Sequence, residues 1–110
     1  MANDNFNECP VTYTLDIINS RWRIFIINAL LHDKQRNSEL LKLLPNISQK
    51  VLTENLRFLE EKKIIRRVVY PVMPPKVEYE LTELGESIRP LINQIYEWGT
   101  KYKSETQPEQ

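Results

Sequence analysis

Apolar residues recur at helical spacing through the first half of the chain, give way to short β-branched runs, and return to helical spacing near the end. Pro10 suits the first turn of a helix, where a missing N–H costs nothing. A helix from there to about Ile18 would place Val11, Leu15 and Ile18 on one face. Ser20 is a cap-type residue ahead of a second helix, about Arg21 to Leu31. The apolar residues of that helix form two stripes, Trp22, Phe25, Ile26, Ala29 and Leu30 on one and Ile24, Ile27 and Leu31 on the other. A helix apolar nearly all round is expected to be buried nearly all round, as the central strut of a core. The stretch from His32 to Asn37 is a polar connection, and Ser38 is expected to open a short helix to Leu44. Its Leu40, Leu41, Leu43 and Leu44 are too many to be surface residues. Pro45 ends it, because proline disfavours a helical conformation in the residue before it. Asn46 and Ile47 then form a turn of the length a helix-turn-helix needs.

Ser48 caps the next helix, to about Lys62, in which Leu52, Leu56 and Leu59 sit at i, i+4 and i+7 with Val51 and Phe58 on the flanks. Gln49, Lys50, Thr53, Glu54 and Arg57 fall on its polar side. The period then changes to that of strands, over 64–70 and again over 77–81, joined by the proline-stiffened loop 71–76. A last helix is expected from Thr82 to about Tyr102. Its Leu84, Ile88, Leu91, Ile95, Trp98 and Tyr102 are spaced 4, 3, 4, 3 and 4, a coiled-coil-like seam and a candidate dimer interface. Pro90 is expected to kink this helix near Glu86. The ends, residues 1–8 and 103–110, are polar and expected to be flexible, leaving one domain over 9–102. The order of elements predicts a mainly α fold with a small β-hairpin, a winged helix-turn-helix, dimeric through its N- and C-terminal helices.

Charge sharpens this picture. Formal net charge is zero, which by itself argues against nucleic acid. Its distribution argues for it: residues 1–20 carry −3, residues 21–77 carry +7 and residues 78–110 carry −4. A basic middle between acidic ends is the footprint of a DNA-reading module on an acidic scaffold. Other chemistry is thinly supplied. One histidine, His32, and one cysteine, Cys9, cannot build a zinc site or a recognisable nucleophile pair. The two glycines, Gly85 and Gly99, make no phosphate-cradling loop. An enzyme, a metal and a cofactor are therefore not expected. Gly85 more plausibly serves close packing. The longest apolar run, Ile24 to Leu31, is interrupted by Asn28 and is far short of the roughly 20 residues of a membrane span. With no signal-like start, the expected location is cytoplasmic.

Several blocks resemble the HxlR-type branch of the MarR-like transcription regulators. These are Cys9-Pro10-Val11, Trp22 at the start of a buried helix, Leu44 through Thr53, Tyr70-Pro71 through Tyr79, and Leu81 through Gly85. The resemblance covers about residues 8 to 102 and implies a bacterial or archaeal homodimer with a winged helix in each subunit. It departs from the common pattern at Ser20-Arg21 and at Arg36-Asn37-Ser38, outside the recognition helix. Double-stranded DNA, as a pseudo-palindromic operator, is the expected partner, and repression is favoured over activation. The rival reading is a winged helix that only docks another protein.

On that reading Gln49, Lys50, Thr53 and Arg57 face base edges: Gln pairs bidentately with adenine, Arg or Lys with guanine. Ser48 and the N–H groups of the first turn suit a phosphate. In the wing, Arg66 and Arg67 point to opposite faces, so at most one touches DNA; Lys76 is favoured, Arg67 second. Arg36, Asn37 and Ser38 are candidate backbone contacts, with plain surface residues as the close alternative. Trp22 and Trp98 read as core and interface aromatics, though a pocket between dimer helices would admit a small aromatic effector. Cys9 precedes a helix, a position that favours a thiolate, with Glu8 working against it. Some regulators of this type respond to oxidants, quinones or aldehydes through a cysteine here. A structural residue at the dimer interface is the preferred reading, and a redox or electrophile sensor the alternative.

Overall fold

A computed structural model describes residues 6–107; what was expected of residues 1–5 and 108–110 lies outside the described residues. A 3-10 turn, Phe6–Glu8, leads into α1, Pro10–Ile18, with Cys9 in extended conformation as its N-cap. α2 spans Arg21–His32, α3 Asn37–Leu43 and α4 Gln49–Glu61. The hairpin is β1, Ile65–Tyr70, and β2, Lys76–Leu81, antiparallel from Ile65 opposite Leu81 to Tyr70 opposite Lys76. Two further helices follow, α5 over Glu83–Glu86 and α6 over Arg89–Thr106.

α2 is the strut the pattern called for. Ile26 and Ile27 are fully buried, against Leu40 of α3, Leu52, Leu56 and Leu59 of α4, Ile65 and Leu81 of the hairpin, and Ile92 of α6. Burial is less complete than the two apolar stripes suggest. Phe25 stays 42% exposed, edge-to-face with a partly buried Trp22. α1 buries none of its residues fully, and its Val11 and Leu15 are exposed.

Three expectations are corrected. α3 begins at Asn37 instead of Ser38, with Arg36 in the cap position. Arg36 has no capping oxygen; instead its backbone N–H donates to Glu39 Oε1 at 2.6 Å, so the carboxylate three residues on secures the helix start. Of the four leucines, Leu40 of α3 and Leu44 just after it are buried, Leu41 is partly so, and Leu43 is 55% exposed. The third correction is larger. Pro90 does not kink one long helix; the chain leaves α5 at Ser87 and begins α6 at Arg89, with Pro90 in its first turn. Proline has no N–H for the carbonyl of Glu86 but suits a helix start, so the break falls just ahead of it. Arg89 bridges the break, donating to Leu31 O and Glu86 Oε1, both at 3.0 Å. α6 then runs to Thr106, past the Tyr102 that the pattern marks.

The hairpin is fastened at both ends. Gln35 and Tyr79 exchange backbone bonds of 3.0 and 2.8 Å, making the connection before α3 a one-residue third strand. At the other end Lys63 adopts φ 65°, and Ile64 N–H and Lys63 N–H donate to Leu59 O and Glu60 O, a Schellman closure of α4. Thr82 meets this corner: its hydroxyl donates to Lys63 O at 2.7 Å and accepts from Gly85 N–H at 3.0 Å.

Candidate nucleic-acid interface

Recognition chemistry needs a helix whose apolar side is fixed and whose opposite side is bare. α4 meets both conditions. Ser48 is its N-cap, Oγ accepting from Val51 N–H at 3.1 Å. The preceding turn is tight, with Asn46 at φ 67° and Ile47 buried. Asn tolerates the left-handed region better than most residues, which explains the turn. Leu52, Leu56 and Leu59 anchor the helix below. Behind it, two cations lie against Phe58, the Arg23 guanidinium 3.7 Å from the ring centre and Lys62 Nζ at 5.4 Å. Arg23 also donates to Asp16 O at 2.9 Å, so one side chain links α1, α2 and the back of α4. Its buried Nε has no hydrogen-bond partner among the described residues.

The outward face holds Gln49, Lys50 and Arg57 exposed and Thr53 half-buried. Gln49 Nε2 donates to Thr53 Oγ1 at 3.0 Å, so two of the expected base readers are joined to each other in the unbound chain. Lys50 and Arg57 carry no ion pair or hydrogen bond among the described residues. Their charge is available to an anionic partner.

The wing differs from its expected form. Lys76 is the first residue of β2 and pairs with Tyr70 at the hairpin's last rung, and its ammonium lies 3.7 Å from Glu78 Oε2 and 4.8 Å from the Tyr70 ring centre. Lys34, before α3, reaches the same carboxylate at 3.6 Å. The Tyr70 hydroxyl donates to Glu78 Oε1 at 2.8 Å and holds that carboxyl below its ordinary pKa; Lys76 and Lys34 add to the effect and burial opposes it. Lys34 is in turn held above its ordinary value by Tyr70 first and Glu78 second. Pattern reading passed over this buried node. A signal was present, since Tyr70 and Glu78 lie diagonally on one face of the hairpin, but Lys34 arrives only through the tertiary fold. Arg66 pairs with Glu80 at 3.5 Å, whereas Arg67 is exposed with no ion pair among the described residues. Arg36 and Ser38 are exposed at the start of α3, and Asn37 is half-buried.

The proposed seam is divided. Leu84 belongs to α5 and the rest from Leu91 onward to α6. Leu84, Trp98 and Tyr102 are 58%, 63% and 54% exposed, Leu91 37%, and Ile88 and Ile95 lean partly on the core. The α6 residue that enters the core fully is Ile92, outside the seam.

A helix, a turn, a bare-faced second helix and a hairpin wing in this arrangement can be matched to known sequences. The profile of the HxlR-like helix-turn-helix family matches residues 17–107. The chain belongs to the HxlR family. The HTH-type transcriptional regulator YdeP of Bacillus subtilis is 46% identical over 102 residues, covering 93% of this chain and 80% of YdeP. The redox regulator HypR in its reduced form superposes with a TM-score of 0.83 at 39% identity, over 92% of this chain and 98% of that one. Diamide-treated YodB from B. subtilis gives 0.74 at 34% identity, over 86% and 94%. This HxlR chain is thus a winged helix-turn-helix transcription regulator of the MarR-like, bacterial kind, with DNA as its partner, and not an enzyme. No helix among its described residues is long and apolar enough to cross a membrane.

Proposed function

We propose that this regulator works as a homodimeric repressor on a pseudo-palindromic duplex, in the cytoplasm of its cell, with the α4 of each subunit in successive major grooves about 34 Å apart. The observation that carries the reading is the polar face of α4, where Gln49 and Lys50 stand in the first turn and Arg57 two turns further on, neither cation ion-paired among the described residues, on a helix rigidly packed from behind. Ser48 with the first-turn amides takes a phosphate, Gln49, Lys50, Thr53 and Arg57 meet base edges, and Arg67 with Lys76, Arg36 and Ser38 holds flanking phosphates. Dimerisation uses Leu84, Ile88, Leu91, Ile95, Trp98 and Tyr102, and the exposure of Leu84, Leu91, Trp98 and Tyr102 in one chain supports a partner covering them. An apolar groove of about 450 Å³ beside this surface, lined by Tyr13, Ile17, Ile64, Leu84, Ile88 and Leu91, is where a small aromatic effector would fit. Repression needs only a dimer that occludes polymerase.

The test is selection of duplexes from a random library by the native chain, followed by fluorescence anisotropy at about 50 and 200 mM salt. Selective binding that weakens steeply with salt is expected. Salt-insensitive capture with no sequence preference would favour the protein-docking alternative. Arg57→Ala is expected to lose about 1–3 kcal/mol and to relax preference at one base pair; undiminished affinity for every selected duplex would remove Arg57 from the site.

A thiol response is a second reading, favoured by similarity to a protein named as a redox regulator and by Cys9 at the start of α1. Cys9 is 5% exposed in the single chain, so an oxidant must reach it through an opening of α1. Cys9→Ser is expected to bind DNA normally and to lose any release by diamide; release that persists would exclude Cys9 as the sensor.

A further inference from the structure

The tip of the wing is chemically unlike the rest of the basic middle of the chain. From Val68 to Pro75 there is no charged residue. Pro71, Pro74 and Pro75 have no backbone N–H, and that of Val72 is already committed to Tyr70 O at 2.8 Å. Phosphate contacts require cations, polar side chains or amides, and the tip has almost none to give. What it presents is apolar. Met73 is 91% exposed, the most exposed large hydrophobic side chain among the described residues, with Val72 at 51% and Val69 at 52% beside it. Of the nearby cations, Lys76 borders the tip as the first residue of β2 but is held with Lys34 at Glu78, and Arg67 stands lower on β1. The six-residue strands carry the tip about 20 Å from the hairpin base.

We propose that the wing tip is an apolar wedge, with Met73 pressed into a base step through the minor groove beside each half-site. The proposal rests on the DNA-binding reading above and adds a specificity element to it. Met, Leu, Ile, Phe and Pro are the side chains that proteins insert between base pairs from the minor groove, unstacking a step and bending the duplex toward the major groove. Pyrimidine–purine steps unstack most cheaply, so the wedge selects such a step at a fixed offset outside the bases read by α4. Continuity with the recognition module favours DNA over a protein as the occupant. The tip stands on the wing that directly follows α4, and Arg67 and Lys76 on its strands are placed for the phosphates bordering the groove.

The test uses the full chain and the duplexes it selects from a random library, with 2-aminopurine placed in turn at each flanking position. Native protein is expected to enrich a TA or CA step at one flanking offset and to raise 2-aminopurine fluorescence there. Met73→Ala should bind about tenfold more weakly, within the cost of one lost specific contact. It should also lose both the step preference and the fluorescence rise, with its salt dependence unchanged. Met73→Leu should keep all three properties. Met73→Lys should steepen the salt dependence by about one phosphate contact without restoring the fluorescence. If Met73→Ala keeps native affinity and step preference, the wedge is overturned and the α4 reading stands. If its binding weakens with a shallower salt dependence, the tip was positioning a cation, and the wedge is again overturned. If the native chain selects no duplex, the DNA-binding reading falls and the wedge with it. Because the tip touches no part of the core, an unchanged melting temperature is expected for each variant and confirms that the fold is intact.

Discussion

Gly85→Ala should destabilise the domain by about 3 kcal/mol, at the upper end of what overpacking costs. A Cβ at this position would lie 2.1 Å from the backbone oxygen of Ile64 and 3.0 Å from Leu81 Cδ2. The first neighbour cannot yield easily. Ile64 O accepts the Thr82 N–H at 3.0 Å, and Ile64 N–H closes α4 by bonding to Leu59 O, also at 3.0 Å. Thr82 is tied to the same corner through its hydroxyl and to Gly85 through that residue's N–H. Relief therefore means moving α5 away from the hairpin, which breaks the Thr82 bonds and uncovers Leu81. Chemical denaturation should show the loss as a lower midpoint at unchanged slope, and heating as a midpoint lower by about 10–20 °C. A variant within about 0.5 kcal/mol of the native chain, the range of ordinary surface changes, would show that α5 shifts freely. Gly99→Ala is the contrasting control, since among the described residues a Cβ there would meet nothing within 4 Å beyond its chain neighbours and its own helix backbone.

The recognition helix was legible because its determinants are local. A serine cap, three leucines at helical spacing and a polar opposite face lie within fourteen consecutive residues, Ser48 to Glu61. The end of the chain was less legible for a related reason. Spacing of 4, 3, 4, 3 and 4 is what a continuous helix would show, and it conceals that Leu84 and Leu91 lie on separate helices. Within such a helix Pro90 suggests a kink, although its preference for a first turn is satisfied better by a break. The wing's charges depend on contacts that distance along the chain hides: in sequence Lys76 is a free cation, but in the fold it shares the buried Glu78 carboxylate with Lys34. Glu78 itself reads as an outward strand residue, because its burial depends on the connection before α3 folding onto β2. Leu43 and Phe25 show the limit of inferring burial from hydrophobicity alone. They line an open groove of about 490 Å³ between α2 and α3 and remain exposed in the single chain.

Trp98→Glu with Tyr102→Glu should turn the proposed dimer into a monomer and lower affinity for a full operator by about 10²–10⁴, the gain that linking two binding modules supplies. The two rings stack on each other, centroids 5.3 Å apart, on a flank of α6 about a quarter to a third of a turn round from Ile92. Neither is buried by its own chain, so replacing them removes little from the folded monomer. In a two-fold dimer the same patch appears on both sides of the interface, so four carboxylates would meet where four aromatic rings had been. Sedimentation should show the native chain as a dimer and the variant at half that mass. Affinity for a duplex bearing one half-site separates loss of dimerisation from added negative charge: it should fall little, because the substituted residues lie on α6 and not on α4. Trp98→Ser with Tyr102→Ser, which adds no charge, should lose the advantage of the full operator in the same way. A variant that remains dimeric and still prefers the full operator would move the interface elsewhere, to the exposed Val11, Tyr13 and Leu15 of α1.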